Sequence, residues 1–338
     1  MTAGLVSEDR YARQRLVPGW DQQRLRSARV VVIGVGALGN EVARVLTMSG
    51  VGELILCDPD TVEASNLSRT ILFRTGDIGR PKAEAAAAAL CDLAPGVDAE
   101  ARVADLVSGV GLAELRDADL VVSCLDSAAA RVGLAERCGR VGAALLDAGT
   151  QPWGGEVRYY PAGGACFGCA LTPAERRAED DRYSCATYRP GAPAAASAPI
   201  AGLIGAWQAT FAIRLLCGLP VVHGVLAVDG AGTAGRVQTR GRDPRCPLHA
   251  GIGAVERLAV SAEDTVADLL GALRPGEVPE GWAEFDRPLG GRSRTLSAAP
   301  PDRRLYELGV APREVLRVVP ARATDPMRHV ELAERKGP

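Results

Sequence analysis

Hydrophobic positions along the chain fall into two alternating patterns. Arg29-Val30-Val31-Val32-Ile33 is a short β-branched run without polar interruption, as expected of a strand covered on both faces. A glycine-rich turn follows, after which Asn40 to Ser49 spaces its apolar residues as a helix does, and Glu53-Leu54-Ile55-Leu56-Cys57-Asp58 reads as a second strand. The alternation continues with a helix from Lys82 to Leu93, a strand at Leu120-Val121-Val122-Ser123, a helix near Ala128 to Arg140 and a strand at Ala143 to Asp147. Such a succession predicts an α/β fold with a doubly wound, Rossmann-like sheet.

From Gly154 to Tyr160 the period shifts toward alternation, and residues 171–199 are polar and then rich in Ala and Pro, the composition of a long loop. Pro199 opens an apolar helix running through Trp207 to Leu216, and Gly224 to Asp229 reads as a further strand. Beyond Cys246-Pro247-Leu248-His249 the pattern becomes strand, short helix (Thr265 to Leu273), a Gly/Pro/Arg-rich stretch and a strand at Val315 to Val319. The expected organisation is a large domain over 1–250, a small C-terminal α+β domain over 251–325, and a tail over 326–338.

Composition narrows the function classes. The 338 residues carry 39 basic against 41 acidic side chains, a net charge of -2, with no run of like charge, so the basic footprint of a nucleic-acid binder is missing. The first residues lack an apolar core behind a basic start, and no stretch approaches the roughly 20 apolar residues of a membrane span, which predicts a cytoplasmic protein. Nine cysteines, an odd number in a long chain, argue against a disulfide framework and for metal or thiol chemistry.

The turn Gly34-Val35-Gly36-Ala37-Leu38-Gly39 lets backbone amides approach a phosphate at a helix N-terminus. Asp58 lies at the distance where an acidic side chain binds a ribose hydroxyl. These residues alone suit a nicotinamide dehydrogenase as well as an ATP-using enzyme. Arg69, Lys82 and Asp126 separate the two: cations offset phosphate charge, and a carboxylate at the sheet edge supplies a hard oxygen ligand to magnesium. Taken singly, Arg69 and Lys82 would read as solvated surface charges.

Arg10-Tyr11-Ala12-Arg13-Gln14, the glycine turn, Asp58, Asn66-Leu67-Ser68-Arg69, Lys82, and Asp126 with Arg131 occur in the order seen in the ubiquitin-activating superfamily, which the chain resembles over roughly residues 7–250. That superfamily includes bacterial adenylyltransferases of the molybdopterin and thiazole pathways. The resemblance implies that Gly34, Gly36, Gly39 and Asp58 hold ATP, that Asn66, Arg69 and Lys82 hold its phosphates, and that Asp126 binds magnesium. It also implies that Arg13 reaches the phosphates of a neighbouring subunit in a homodimer. Thr70 departs from the Gln that relatives carry there.

Cys166-Phe167-Gly168-Cys169 and Cys246-Pro247-Leu248-His249 are two close pairs drawn from distant parts of the chain, which together can close a tetrahedral zinc site. The alternative is a redox pair at Cys166 and Cys169. Cys185, in the long loop, matches the place where thioester-forming relatives carry their nucleophile, although adenylate-only relatives also carry a cysteine there. Residues 305–310 and 315–319 resemble the end of a ubiquitin-like fold, with an anonymous cap as the other reading.

The expected function is therefore adenylation of the C-terminal glycine of a small ubiquitin-like protein ending in Gly-Gly, capture on Cys185 and transfer to a conjugating enzyme. The alternative is a sulfur-carrier adenylyltransferase supporting thiocarboxylate formation. Adenylation of a peptide C-terminus is a third reading, and a nicotinamide oxidoreductase or a non-catalytic nucleotide scaffold stands outside the class.

Overall fold

The computed structural model describes residues 9–177, 197–230, 235–285 and 293–334. The chain divides into two compact units, one built from residues 1–103, 118–135 and 144–246, the other from 104–117, 136–143 and 247–338.

In chain order the elements are α1 (Gln22–Ser27), β1 (Arg29–Ile33), α2 (Ala37–Ser49), β2 (Glu53–Cys57), α3 (Lys82–Leu93), β3 (Asp98–Arg102), α4 (Leu106–Gly109), α5 (Leu112–Asp117), β4 (Leu120–Ser123), α6 (Ala128–Val141), β5 (Leu145–Gln151), β6 (Gly154–Tyr160), α7 (Ala198–Leu216), β7 (Gly224–Asp229) and β8 (Gly235–Gln238). Local chemistry sets several boundaries. The Asp21 carboxylate accepts from the amides of Gln23 and Arg24 to start α1. Gly50, at φ +80°, ends α2 in the left-handed conformation that L side chains avoid. Pro199 sits in the first turn of α7, where its missing N–H is not needed.

The sheet of the first unit runs β3-β2-β1-β4-β5-β6-β7-β8 among the described residues. Strands β1 to β5 are parallel, and β6 to β8 continue antiparallel. The parallel strands are buried on both faces: Val30, Val32, Leu54 and Leu56 point one way and Val31, Ile55 and Val121 the other, all fully buried. The expected doubly wound architecture is therefore present. The chain leaves β1 toward β2 and β3 and then returns to β4 on the opposite side, creating a switch point where the carboxyl ends of β1 and β4 diverge.

By length and composition α7 would pass as a membrane-crossing helix, which corrects the expectation that no stretch approached one. Here it packs against α2 and strands β4 to β6, burying Ile200, Ile204, Phe211 and Ala212 in the main core.

The second unit adds β9 (Val255–Ser261), α8 (Val266–Ala272), β10 (Val278–Phe285), β11 (Ser293–Thr295), β12 (Val315–Val319) and β13 (Arg328–Ala333). Its described sheet runs β11-β10-β12-β13-β9, with β13 parallel to β9 and the other neighbours antiparallel. Thr265 caps α8, its hydroxyl accepting from the Asp268 amide while the Asp268 carboxylate accepts in return. Val266, Leu269, Leu305, Leu316, Val318 and Val330 form its core.

Two expectations about this region are corrected. Residues 326–338 are not all tail, because Arg328–Ala333 is an interior strand whose charges are paired: Arg328 with Glu277 at 2.6 Å and Glu331 with Arg313 at 2.8 Å. The second unit also draws on residues well before 250. Arg137, from the end of α6, lies 2.7 Å from Glu314, and both are buried. Arg313 further binds Asp117 at the end of α5.

Candidate functional site

The glycine turn occupies the switch point, and each of its glycines has a different physical reason. Gly34 has φ +89°, and a Cβ there would stand 2.7 Å from the carbonyl oxygen of Cys124, at the end of β4. A Cβ on Gly39 would stand 2.0 Å from the Gly34 carbonyl oxygen, so this residue permits α2 to start against β1. Gly36, the residue before α2, is the exception: a Cβ there would meet nothing within 4 Å. The space over it is open, as a phosphate lying on the amides of a helix N-terminus requires.

The Asp58 carboxylate, 5% exposed at the end of β2, accepts from the Val35 amide at 2.6 Å and from the Asp60 amide at 2.9 Å. Burial raises its pKa, while Lys82 and the two amides act in the opposite direction. Lys82, at the start of α3, pairs with Asp60 at 2.7 Å. Asp58, Asp60 and Lys82 thus form one charged cluster beside the turn.

The segment 64–71 forms the facing wall. Asn66 is buried, its side-chain oxygen accepting from the Glu63 amide at 3.0 Å. Arg69 donates to the Ser65 carbonyl at 2.8 Å. Thr70 is buried and donates to the Asn66 carbonyl at 3.0 Å, so it closes the same turn by a local hydrogen bond. Ala37, Glu41, Ser68, Arg69, Ala201 and Gly202 line a cleft of about 300 Å³ between the start of α2, this wall and the start of α7. Asp126 lies exposed just beyond β4, two residues after the Cys124 carbonyl that supports Gly34. Arg131 donates to the Leu125 carbonyl at 2.5 Å and to Asp147 at 3.2 Å, fixing the residue before Asp126.

Arg13 is not brought to the turn of its own chain. It is exposed, and the neighbouring Gln14 donates to the Met48 carbonyl at the opposite end of α2, about 16 Å of helix from Ala37.

The structure brings the four thiol and imidazole residues together. Cys166, Cys169, Cys246 and His249 place their ligand atoms all within 4.8 Å of one another. The Cys166 sulfur is 3.7 Å from that of Cys169 and 3.8 Å from that of Cys246. A tetrahedral zinc with Zn–S bonds of about 2.3 Å has sulfurs about 3.8 Å apart, whereas a disulfide needs about 2.05 Å, so the cluster is compatible with zinc and not with a bridge. Burial and the neighbouring sulfurs push the Cys166 thiol up to about 12, a position that a cation reverses. Backbone amides of Cys166 and Asp243 also point at the Cys169 sulfur, each at 3.4 Å. Cys185 lies outside the described residues.

Sequence reasoning missed the buried polar side chains behind this site. Asn40, fully buried in the first turn of α2, donates to the carbonyls of Val35 and Gly36 and accepts from the Leu72 amide, joining the glycine turn to the facing wall. Gln208 on α7 reaches the end of β4 and the start of β5. The one available signal was a polar residue on an otherwise apolar helical face.

The ThiF family description matches residues 9–248. Over 251 residues the chain is 33% identical to the sulfur carrier protein ThiS adenylyltransferase of Escherichia coli K12, covering 72% of this chain and 96% of that protein. Over 247 residues it is 32% identical to the molybdopterin-synthase adenylyltransferase of the same organism, covering 71% and 95%. Among solved structures, E. coli MccB with ATP shares the fold at a TM-score of 0.58 and 23% identity, over 72% of this chain and 75% of that one.

Proposed function

The chain belongs to the ThiF family, and on that premise we propose that it is an ATP-dependent adenylyltransferase acting on the C-terminal carboxylate of a small sulfur-carrier protein. The observation that carries this reading is the open space over Gly36 at the switch point, next to the Val35 amide that the buried Asp58 carboxylate accepts from.

In this reading the amides at the start of α2, with Arg69 and Lys82, hold the triphosphate of ATP, and Asp58 holds its ribose. Asp126 would hold a magnesium ion, which offsets phosphate charge when bound. A carboxylate oxygen of the carrier attacks the α-phosphorus, the bond from that phosphorus to the β-phosphate bridging oxygen breaks, and pyrophosphate leaves with the electron pair. No protein nucleophile takes part; alignment and charge stabilisation supply the rate. Cys166, Cys169, Cys246 and His249 would hold a structural zinc. A homodimer is part of the proposal, supported by the position of Arg13 at the far end of α2 from its own glycine turn.

Thioester capture on Cys185 followed by transfer to a conjugating enzyme was the first expectation, and sulfur-carrier adenylation the second. The relatives, one named a sulfur carrier protein adenylyltransferase and another a molybdopterin-synthase adenylyltransferase, favour the reverse order. The test is ATP–pyrophosphate exchange with a carrier ending in Gly-Gly. Parent enzyme exchanges label, and Arg69→Ala and Lys82→Ala lose exchange while keeping their unfolding temperature; exchange persisting in both variants refutes the assignment.

A further inference from the structure

Gln208 stands out as a fully buried amide in the middle of the apolar helix α7. Its Nε2 uses both hydrogens, donating to the Ser123 carbonyl at 2.8 Å and to the Leu146 carbonyl at 3.1 Å, and its Oε1 accepts from the Cys124 thiol at 3.5 Å. The Ser123 carbonyl belongs to the carboxyl end of β4 and the Leu146 carbonyl to the start of β5, next to the pair Ser123 and Asp147 at which the parallel ladder stops. A buried carbonyl without a donor is costly, so the amide supplies donors to both strands where β4 ends.

The consequence reaches the nucleotide site. Ser123-Cys124-Leu125 leads directly to Asp126, and the Cys124 carbonyl supports Gly34. Arg131 holds Leu125 from one side. Gln208 holds Ser123 and Cys124 from α7, whose first turns line the cleft through Ala198, Ala201 and Gly202.

We propose that Gln208 is a positioning residue of the adenylation site, fixing the end of β4 so that the Asp126 carboxylate stands where a divalent cation on the nucleotide meets it. The inference rests on the ATP-binding reading above, and its test separates the two. Calorimetric titration with a non-hydrolysable ATP analogue, with and without magnesium, gives the magnesium-dependent gain in affinity for the parent, Gln208→Met, Asp126→Asn and the double variant. Failure of the parent to bind the analogue at all refutes the ATP reading itself.

If the parent binds, Gln208→Met is expected to lose about tenfold of the magnesium-dependent gain, the scale of one to two net hydrogen bonds, while its affinity without magnesium stays at the parental level. In the Asp126→Asn background the same substitution is expected to change nothing further. Equal losses with and without magnesium, or an undiminished effect in the Asp126→Asn background, would show general loosening and overturn the proposal. Should Gln208→Met not fold, Gln208→Glu keeps the side-chain length and, held neutral by burial, one donor. It is then expected to show a smaller loss confined to the magnesium-dependent gain, and a loss independent of magnesium overturns the proposal equally.

Discussion

Adding one methyl group at Gly36 or at Gly39 separates the two demands on the glycine turn. At Gly39 the added Cβ would stand 2.0 Å from the Gly34 carbonyl oxygen and 2.9 Å from its carbon, both backbone atoms, against the 3.5–4.0 Å of ordinary carbon contacts. Relief must come from moving α2 off β1, which places the cost at the upper end of overpacking, about 3 kcal/mol. For a unit of this size that is a fall of roughly 6–12 °C in unfolding temperature. At Gly36 the methyl meets nothing within 4 Å, and the residue already has φ -76°. The folded chain loses only the preference for glycine over alanine at a helix cap, about 0.5 kcal/mol. The methyl does enter the space assigned to phosphate, so affinity for a non-hydrolysable ATP analogue should fall by at least about tenfold, or ~1.4 kcal/mol. Scanning calorimetry and isothermal titration measure the two effects. A Gly36→Ala protein that binds the analogue as tightly as the parent would refute the assignment of that space, and a Gly39→Ala protein of parental stability would refute the packing account.

Three further outcomes follow from the same geometry. Cys246→Ser should lower the zinc found by metal analysis from a single ion per chain toward none, and a chelator should lower the unfolding temperature of the parent but not of the variant. Glu314→Leu leaves the buried Arg137 without its partner and should cost about 3–5 kcal/mol in chemical denaturation, while Arg137→Met with Glu314→Leu should recover most of it. The Arg328 guanidinium hydrogen-bonded to Glu277 holds that carboxyl below its ordinary 4.5, so its contribution is complete above pH 4.5 and fades as pH falls through the lowered value. Glu277→Gln should therefore be less stable than the parent by about 1 kcal/mol at pH 7, with the gap closing in acid; a gap that widens there would reverse the sign of the linkage.

Continuous apolar runs were the legible part of the fold. Arg29–Ile33 and Leu120–Ser123 are strands at the bounds that their patterns indicate, because burial on both faces leaves no other use for such runs, and Gly154–Tyr160 is a strand where the period shifts toward alternation. Asp98–Arg102 escaped notice because Asp-Ala-Glu-Ala-Arg at a sheet edge carries no apolar signature. Arg328–Ala333 reads as a charged tail until Glu277 and Arg313, both distant in sequence, are seen to neutralise it. The second unit's use of Arg137 and Asp117 was illegible for the same reason, since ion pairing across such separations leaves no local period. At the candidate site, the glycine turn, the Cys166–Cys169 pair and the Cys246–His249 pair were legible in their short spacings. Asn40 and Gln208 were not, because a buried amide is defined by the carbonyls it meets, and those come from other elements.

The central claim is that ATP activates a carrier's carboxylate on this chain. The direct measurement is the intact mass of a small carrier protein ending in Gly-Gly after rapid mixing with the enzyme, ATP and magnesium under acid quench. A carrier heavier by one AMP, with pyrophosphate released in equal amount and neither formed by Arg69→Ala, is the predicted result. A carrier of unchanged mass, with no pyrophosphate released by the parent enzyme, would contradict the account.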